Sequence, residues 1–194
     1  MVTDNYIKQV QKLSSVLNII DITTFFHIRV THENKFFILS SNLNLATYLI
    51  KNKNIGDFFT GLIQTAVCGK ISATLWPDDN NDHFLKTLQE LGICNGISIA
   101  LPFSNYIDIF SFAANQKNTQ IKNFYLNHIR LLKGFIIYFR LKGRKIIEHA
   151  NKNITSKINH LIQFNQNKNQ KEIIAAILQL PSVPATVRQK CVRN

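Results

Sequence analysis

Apolar positions along the chain alternate between helical spacing and strand-like runs. Residues 4–18 place Val10, Leu13, Val16 and Leu17 on one face and predict an amphipathic opening helix. Runs rich in β-branched and aromatic side chains predict five strands, at residues 23–31, 35–41, 71–76, 96–103 and 106–114. Apolar residues three or four apart predict further helices at residues 43–51, 57–65, 82–91 and 118–150. Asp82 is expected to cap the third of these, and Gly134 and Gly143 are expected to kink or interrupt the last.

The predicted strands form two hairpins and one single strand, with helices between and around them. Residues 23–31 and 35–41 are joined by a short turn, and residues 96–103 and 106–114 by another. We therefore expect an α/β (α+β) fold, an α-β-α sandwich around an antiparallel five-stranded sheet, followed by a small helical C-terminal segment. Sensor modules of the PAS and GAF types are similar in layout, although layout alone does not define a function.

The composition changes near residue 150 and indicates a boundary there. Residues 151–169 are rich in Asn and Lys, and residues 170–180 predict a short helix that ends before Pro181. About forty residues bury little surface by themselves, so this segment is either an appendix or leans on the first domain. The sequence predicts a domain at residues 1–152 and a tail at residues 153–194.

Charge is distributed unevenly along the 194 residues, which are 45% apolar and carry a formal net charge of +12. Residues 1–116 contain 8 basic and 9 acidic side chains, whereas residues 117–194 contain 15 basic and 2 acidic ones. A cationic end favours a polyanion such as nucleic acid as partner. The alternative is a Lys-rich helix face that is simply solvated.

Other compositional features favour a cytoplasmic chain without membrane contact. The apolar runs fall short of the roughly 18 to 20 residues that span a bilayer, and the first residues lack the features of an export signal. Three Cys, an odd number at wide spacing, fit free thiols in a reducing compartment.

Three short motifs carry a family resemblance. Residues 91–99 (LGICNGISI), 110–114 (FSFAA) and 123–127 (NFYLN) resemble the sensor half of LuxR-family transcription regulators, of the kind found in intracellular Gram-negative bacteria. The resemblance covers roughly residues 1–150. It implies a bacterial regulator that senses a small ligand or its dimer state and couples it to DNA binding.

The tail resembles a LuxR-type helix-turn-helix with departures. Residues 168–173 (KNQKEI), 177–180 (ILQL) and 186–188 (TVR) keep the order of that motif, but two single-residue insertions and Asn167 in place of a Gly depart from it. The resemblance implies a shortened or degenerate helix-turn-helix, because the sequence stops within the expected recognition helix. The DNA-contacting residues it implies are Lys168, Lys171, Thr186, Arg188, Gln189 and Lys190.

The resemblance also implies ligand contacts in the sensor half. Acyl-homoserine-lactone receptors of this family use a Trp, a Tyr four residues later and an Asp nine residues beyond it. Tyr48 and Asp57 have that spacing, whereas Asn44 stands in the Trp position, and Trp76 lies near the place of a second pocket aromatic. Lactone binding, binding of another apolar ligand and no ligand all stay open. In the last case Tyr48 and Trp76 pack in the core and Asp57 caps a helix.

Catalytic and metal chemistry find little support in the residues. The six His have no metal-ligand spacing, and no glycine pattern for phosphates occurs, so we expect no metal and no cofactor. His27 is expected as a half-buried ring in the first strand. A hydrolase built on Cys68 or Cys94 would need a His brought close by the fold, and the sequence favours a protein that is not an enzyme.

The preferred interpretation is a LuxR-like regulator that dimerises through its long helix, as a homodimer or with a related regulator. Its expected partners are double-stranded DNA at the tail and a small apolar ligand. The alternative is a stand-alone sensor or dimerisation module that binds no DNA and pairs with an intact regulator.

Overall fold

The computed structural model describes residues 4–31, 33–52, 55–67, 69–78, 81–154 and 156–157. Seven α-helices occur in this part of the chain. They are α1 (Asp4–Ser14), α2 (Leu43–Asn52), α3 (Gly56–Val67), α4 (His83–Glu90), α5 (Ile121–Asn127), α6 (Ile129–Lys142) and α7 (Arg144–Lys152). A 3-10 helix, Ser15–Ile20, follows α1.

The strands form one antiparallel sheet in the order β3-β4-β5-β1-β2-β6. They are β1 (Thr24–Thr31), β2 (Lys35–Ser40), β3 (Ser72–Leu75), β4 (Cys94–Pro102), β5 (Tyr106–Ala114) and β6 (Ser156–Lys157). The predicted five-stranded antiparallel sheet is confirmed, and the two-residue β6 extends it beside β2. Residues 156–157, which the sequence assigned to the tail, therefore pair with the sheet.

Helices cover both faces of the sheet, because successive strand residues point to opposite sides and both sides are apolar. One core packs α2, α3 and α4 against a face that carries Phe26, Ile28 and Ile109. The other packs α1, α5, α6 and α7 against the face that carries Phe25, Phe110 and Phe112. The α-β-α sandwich is thus present, with a separate core on each side.

The helical pattern at residues 118–150 forms three helices, α5, α6 and α7, so the interruption expected at Gly143 is present and a further one occurs at His128. The breaks lie at His128 and Gly143. A Cβ on Gly143 would stand 2.6 Å from the carbonyl oxygen of Phe139, so the turn between α6 and α7 requires a glycine. Gly134, by contrast, lies inside α6 without interrupting it.

Asp82 caps two helices at once. Its Oδ1 accepts hydrogen bonds from the backbone N–H groups of Phe84 and Leu85, as the sequence predicted, and its Oδ2 accepts one from Phe58 at 2.7 Å. The side chain therefore ties the start of α3 to the start of α4. Asp57, the residue that the sequence proposed as the cap of α3, lies exposed in its first turn.

A charged cluster is buried between the sheet and the α6–α7 layer. Asp108 on β5 accepts two hydrogen bonds from Arg29 on β1, from Nε at 2.7 Å and from Nη2 at 2.8 Å. His27 donates a third from Nε2 at 2.9 Å. Asp108 and His27 are fully buried, so the expectation of a half-buried His27 is wrong. Arg29 also donates to Asn151 of α7 and lies 3.7 Å from the ring centre of Tyr106.

The cluster links stability to pH. Burial raises the pKa of Asp108, but the charges and hydrogen bonds of His27 and Arg29 outweigh it and lower the pKa from 3.8 to about 2. The resulting stabilisation is present above pH 3.8 and is lost as the pH falls towards 2. Burial lowers the pKa of His27 below 6.5 in the folded protein. Below pH 6.5 the His27 imidazole is therefore protonated more readily in the unfolded chain than in the folded one, and the free energy of unfolding falls with pH.

Replacing Asp108 by Asn keeps the shape of the side chain but leaves the Arg29 guanidinium without its counter-ion. We expect the Asp108→Asn variant to lose about 3–5 kcal/mol of unfolding free energy at pH 7. Urea denaturation measures the loss. The exposed Asp21→Asn change is the matched control and should stay within about 0.5 kcal/mol of the parent. Equal stabilities for the two variants would contradict a buried ion pair.

Candidate functional site

A pocket of about 310 Å³ lies at the end of the sandwich where β4 begins. It is bounded by α4 from one helical layer, α5 from the other, and the segment after β3. Its floor is apolar and its rim is polar. The floor consists of Trp76, Leu85, Ile93 and Cys94; the rim includes Pro77, Asp78, Gln89, Asn95, Gln116, Thr119 and Lys122. A volume of this order suits a small molecule.

Trp76 forms the inner wall of the pocket and is held by hydrogen bonds. Its indole Nε1 donates to the Ser98 hydroxyl at 2.9 Å, and that hydroxyl lies 2.8 Å from the Ser111 hydroxyl. Both Ser are fully buried on neighbouring strands. The backbone N–H of Trp76 also donates to the carbonyl of Gly96. Trp76 is therefore held against the sheet by one hydrogen bond from its indole and one from its backbone.

A bulge at the start of β4 makes room for the indole. The register of β4 against β5 shifts between Cys94 and Ile97, and Asn95 adopts a φ of 47°. The Asn95 amide donates to the carbonyls of Asn115 and Gln116, which holds the turn after β5 in place. The bulge thus shapes both the floor and one side of the pocket.

Lys122 supplies the cation of the pocket and connects its two sides. Its ammonium donates to the backbone carbonyl of Trp76 at 3.0 Å and pairs with the Asp78 carboxylate. The Lys122 side chain is 17% exposed, whereas that of Asp78 is 86% exposed. The largely buried side chain of Lys122 on α5 therefore reaches across to the segment after β3, where its ammonium meets Asp78.

Cys94 lines the pocket as a protonated thiol. Burial raises its pKa, and a thiol is a much weaker nucleophile than a thiolate. Ring nitrogen Nε2 of His27 is committed to Asp108 in the core beneath α6 and α7. The Cys94 thiol is therefore not activated as a nucleophile, and the pocket combines buried apolar residues with polar groups at its edge.

The three ligand-binding residues proposed from the sequence are only partly brought together. Trp76 is 4% exposed and lines the pocket. Tyr48 is partly buried on α2, stacks against Phe84 and accepts a 3.4 Å hydrogen bond from Thr87. Tyr48 and Asp57 do not line the pocket, and their role in binding stays a prediction. The six tail residues that the family resemblance predicts to contact DNA lie outside the described residues.

Sequence reasoning missed Lys122, Asn95 and Cys94 as pocket residues. The Asn95-Gly96 pair was a local signal for the β-bulge. In the sequence it was interpreted only as part of the motif at residues 91–99. Lys122 and Asp78 are 44 residues apart, so only the fold reveals their contact.

The described residues thus form an antiparallel α-β-α sandwich with a pocket at the end where β4 begins. No family model and no curated protein matches the chain. Among solved structures it is similar to the N-acylhomoserine lactone dependent LuxR family transcription factor CepR2 from Burkholderia cenocepacia, at 7% identity and a TM-score of 0.46, over 77% of this chain and 93% of that chain. It is also similar to SdiA from Escherichia coli, at 13% identity and a TM-score of 0.41, over 98% of this chain and 83% of that chain.

A methyl group on Gly96 should displace the Trp76 indole. A Cβ at that position would stand 2.4 Å from a ring carbon, closer than contact allows. We expect Gly96→Ala to lose about 1–3 kcal/mol and to shift the emission of the single tryptophan to longer wavelength. Gly61→Ala is the control, since nothing lies within 4 Å of a Cβ there and the helix gains up to about 1 kcal/mol. An unchanged emission spectrum in Gly96→Ala would contradict this packing.

Proposed function

We propose that this protein is a LuxR-like transcriptional regulator that senses a small ligand and couples binding, or the dimer state, to DNA contact through residues 153–194. The observation that carries the proposal is the position of the pocket between the two helical layers. A molecule bound there touches α4 and α5 together, and α5 continues directly into α6, α7 and the tail. Ligand binding would therefore shift the layer from which the DNA-binding segment extends.

The charge distribution supports a polyanionic partner. Residues 117–157 carry ten basic side chains and one acidic one, so most of the cationic excess already lies in the α5–α7 layer. Lys142, Arg144, Lys145 and Lys152 are exposed there. The helical layer and the tail would then face the phosphate backbone together.

Binding to random-sequence duplex DNA at several salt concentrations tests the DNA contact. We expect the variant with Lys168, Lys171, Arg188 and Lys190 all changed to Gln to bind more weakly. Its dependence of log K on log salt should be shallower by about 0.9 for each phosphate contact removed. The matched variant changes Lys142, Arg144, Lys145 and Lys152 to Gln and should show a smaller effect. Negligible binding by the parent chain at low salt would contradict DNA binding and leave the alternative function.

The alternative is a dimerisation module without DNA binding, and, like the regulator, it would pair through the exposed face of α6. Leu131, Ile137, Tyr138 and Leu141 are 46%, 49%, 40% and 71% exposed. They surround Gly134, where a Cβ would meet open space, so another helix could approach closely. An exposed apolar stripe of this kind is typical of an interface between protein chains.

A charge at the most exposed position of the stripe should disrupt that interface. We expect Leu141→Glu to shift the chain from dimer to monomer in analytical ultracentrifugation, because burying a carboxylate in an apolar contact is costly. Leu43→Glu is the control: Leu43 is 48% exposed but begins α2 in the opposite layer. A parent chain that stays monomeric at high concentration would contradict dimerisation through α6.

A further inference from the structure

The pocket combines an apolar floor with one largely buried cation. Trp76, Leu85 and Ile93 line the pocket and are each at most 4% exposed, so each presents only a small part of its apolar surface there. The Lys122 ammonium stands at the edge of this floor. A ligand that satisfies both parts carries a hydrophobic portion and an acceptor group at one end.

Lys122 retains capacity for a further acceptor. An ammonium has three N–H donors, and among the residues that the structure describes Lys122 contacts the Trp76 carbonyl and the Asp78 carboxylate. The Trp76 carbonyl belongs to the fixed backbone beside the bulge, so that contact persists when a ligand enters.

Asp78 is a weakly held counter-ion. Its side chain is 86% exposed, so it regains full hydration when it leaves Lys122, and an exposed ion pair contributes little. Lys122 is the more buried partner, and a buried cation without an anion is unfavourable. A carboxylate delivered by a ligand can therefore take the place of Asp78 on Lys122.

We propose that this pocket binds small amphipathic monocarboxylic acids, with the carboxylate on Lys122 in place of Asp78 and the apolar portion against Trp76, Leu85 and Ile93. The inference rests on the proposed function, since such an acid would be the signal that the sensor half detects. Binding itself requires neither DNA nor the tail.

The single tryptophan reports binding directly, because Trp76 lines the pocket. The full chain is titrated at pH 7.5 with 4-phenylbutyrate and with its uncharged analogue 4-phenyl-1-butanol, by tryptophan fluorescence and by calorimetry. We expect the acid to bind at least tenfold more tightly than the alcohol.

Variants of the ion pair separate charge recognition from general apolar binding. Lys122→Gln should reduce the acid to the affinity of the alcohol while leaving the alcohol unchanged, which shows that the pocket still folds. Asp78→Asn should tighten binding of the acid severalfold, because it removes the competing carboxylate. Lys86→Gln, an exposed change on α4, is the matched control and should alter neither affinity.

Three results would overturn the proposal: equal affinity of acid and alcohol in the parent chain, an acid preference that survives in Lys122→Gln, or no saturable binding of either compound. Each differs from a failure of the regulator proposal, which is measured by DNA affinity and dimerisation without added ligand. If the chain binds the acid but neither binds DNA nor dimerises, the ligand proposal is supported and the regulator proposal is rejected.

Discussion

The Asp108 carboxylate is buried at the centre of the sheet, and its ion pair with Arg29 is the interaction on which the arrangement of β1, β5 and α7 depends. A buried carboxylate is tolerated only when paired, and here two side chains of β1 supply the partners. The bidentate contact fixes β1 beside β5, and the Arg29 contact with Asn151 carries the constraint to α7. The sheet, covered by helices on both faces, separates two cores. None of the helices in the described part of the chain is long and apolar enough to cross a membrane.

Because helices pack on both faces of the sheet, the pocket lies at one end of the sandwich. Both faces of the sheet are packed with aromatic and aliphatic side chains, and the pocket opens where β4 begins and the bulge at Asn95 interrupts regular pairing. At that end α4 and α5 both line the pocket, and Lys122 of α5 donates to the Trp76 carbonyl. A molecule bound there contacts both helical layers without passing through the sheet. This geometry relates ligand binding to the layer that leads into the tail.

Local signals in the sequence predicted much of the fold. The strands follow from dense β-branched and aromatic runs, and the Asp82 cap from its position before an amphipathic helix. The interruption at Gly143 follows from the glycine itself, whereas the break at His128 was not predicted, since the apolar periodicity runs through it. Contacts between distant residues were also beyond sequence reasoning: Arg29 and Asp108 are 79 residues apart, and Lys122 and Asp78 are 44 apart. Trp76 was proposed as a pocket residue through family resemblance, whereas Lys122 has no local pattern that indicates its role.

Hydrogen exchange tests most directly whether the pocket joins the two layers. Backbone amides of the full chain are compared with and without saturating 4-phenylbutyrate. The account predicts slower exchange both in α4 (His83–Glu90) and in α5 and α6 (Ile121–Asn127 and Ile129–Lys142). Protection confined to α4 and the neighbouring end of β4, with α5 and α6 unchanged, would contradict it.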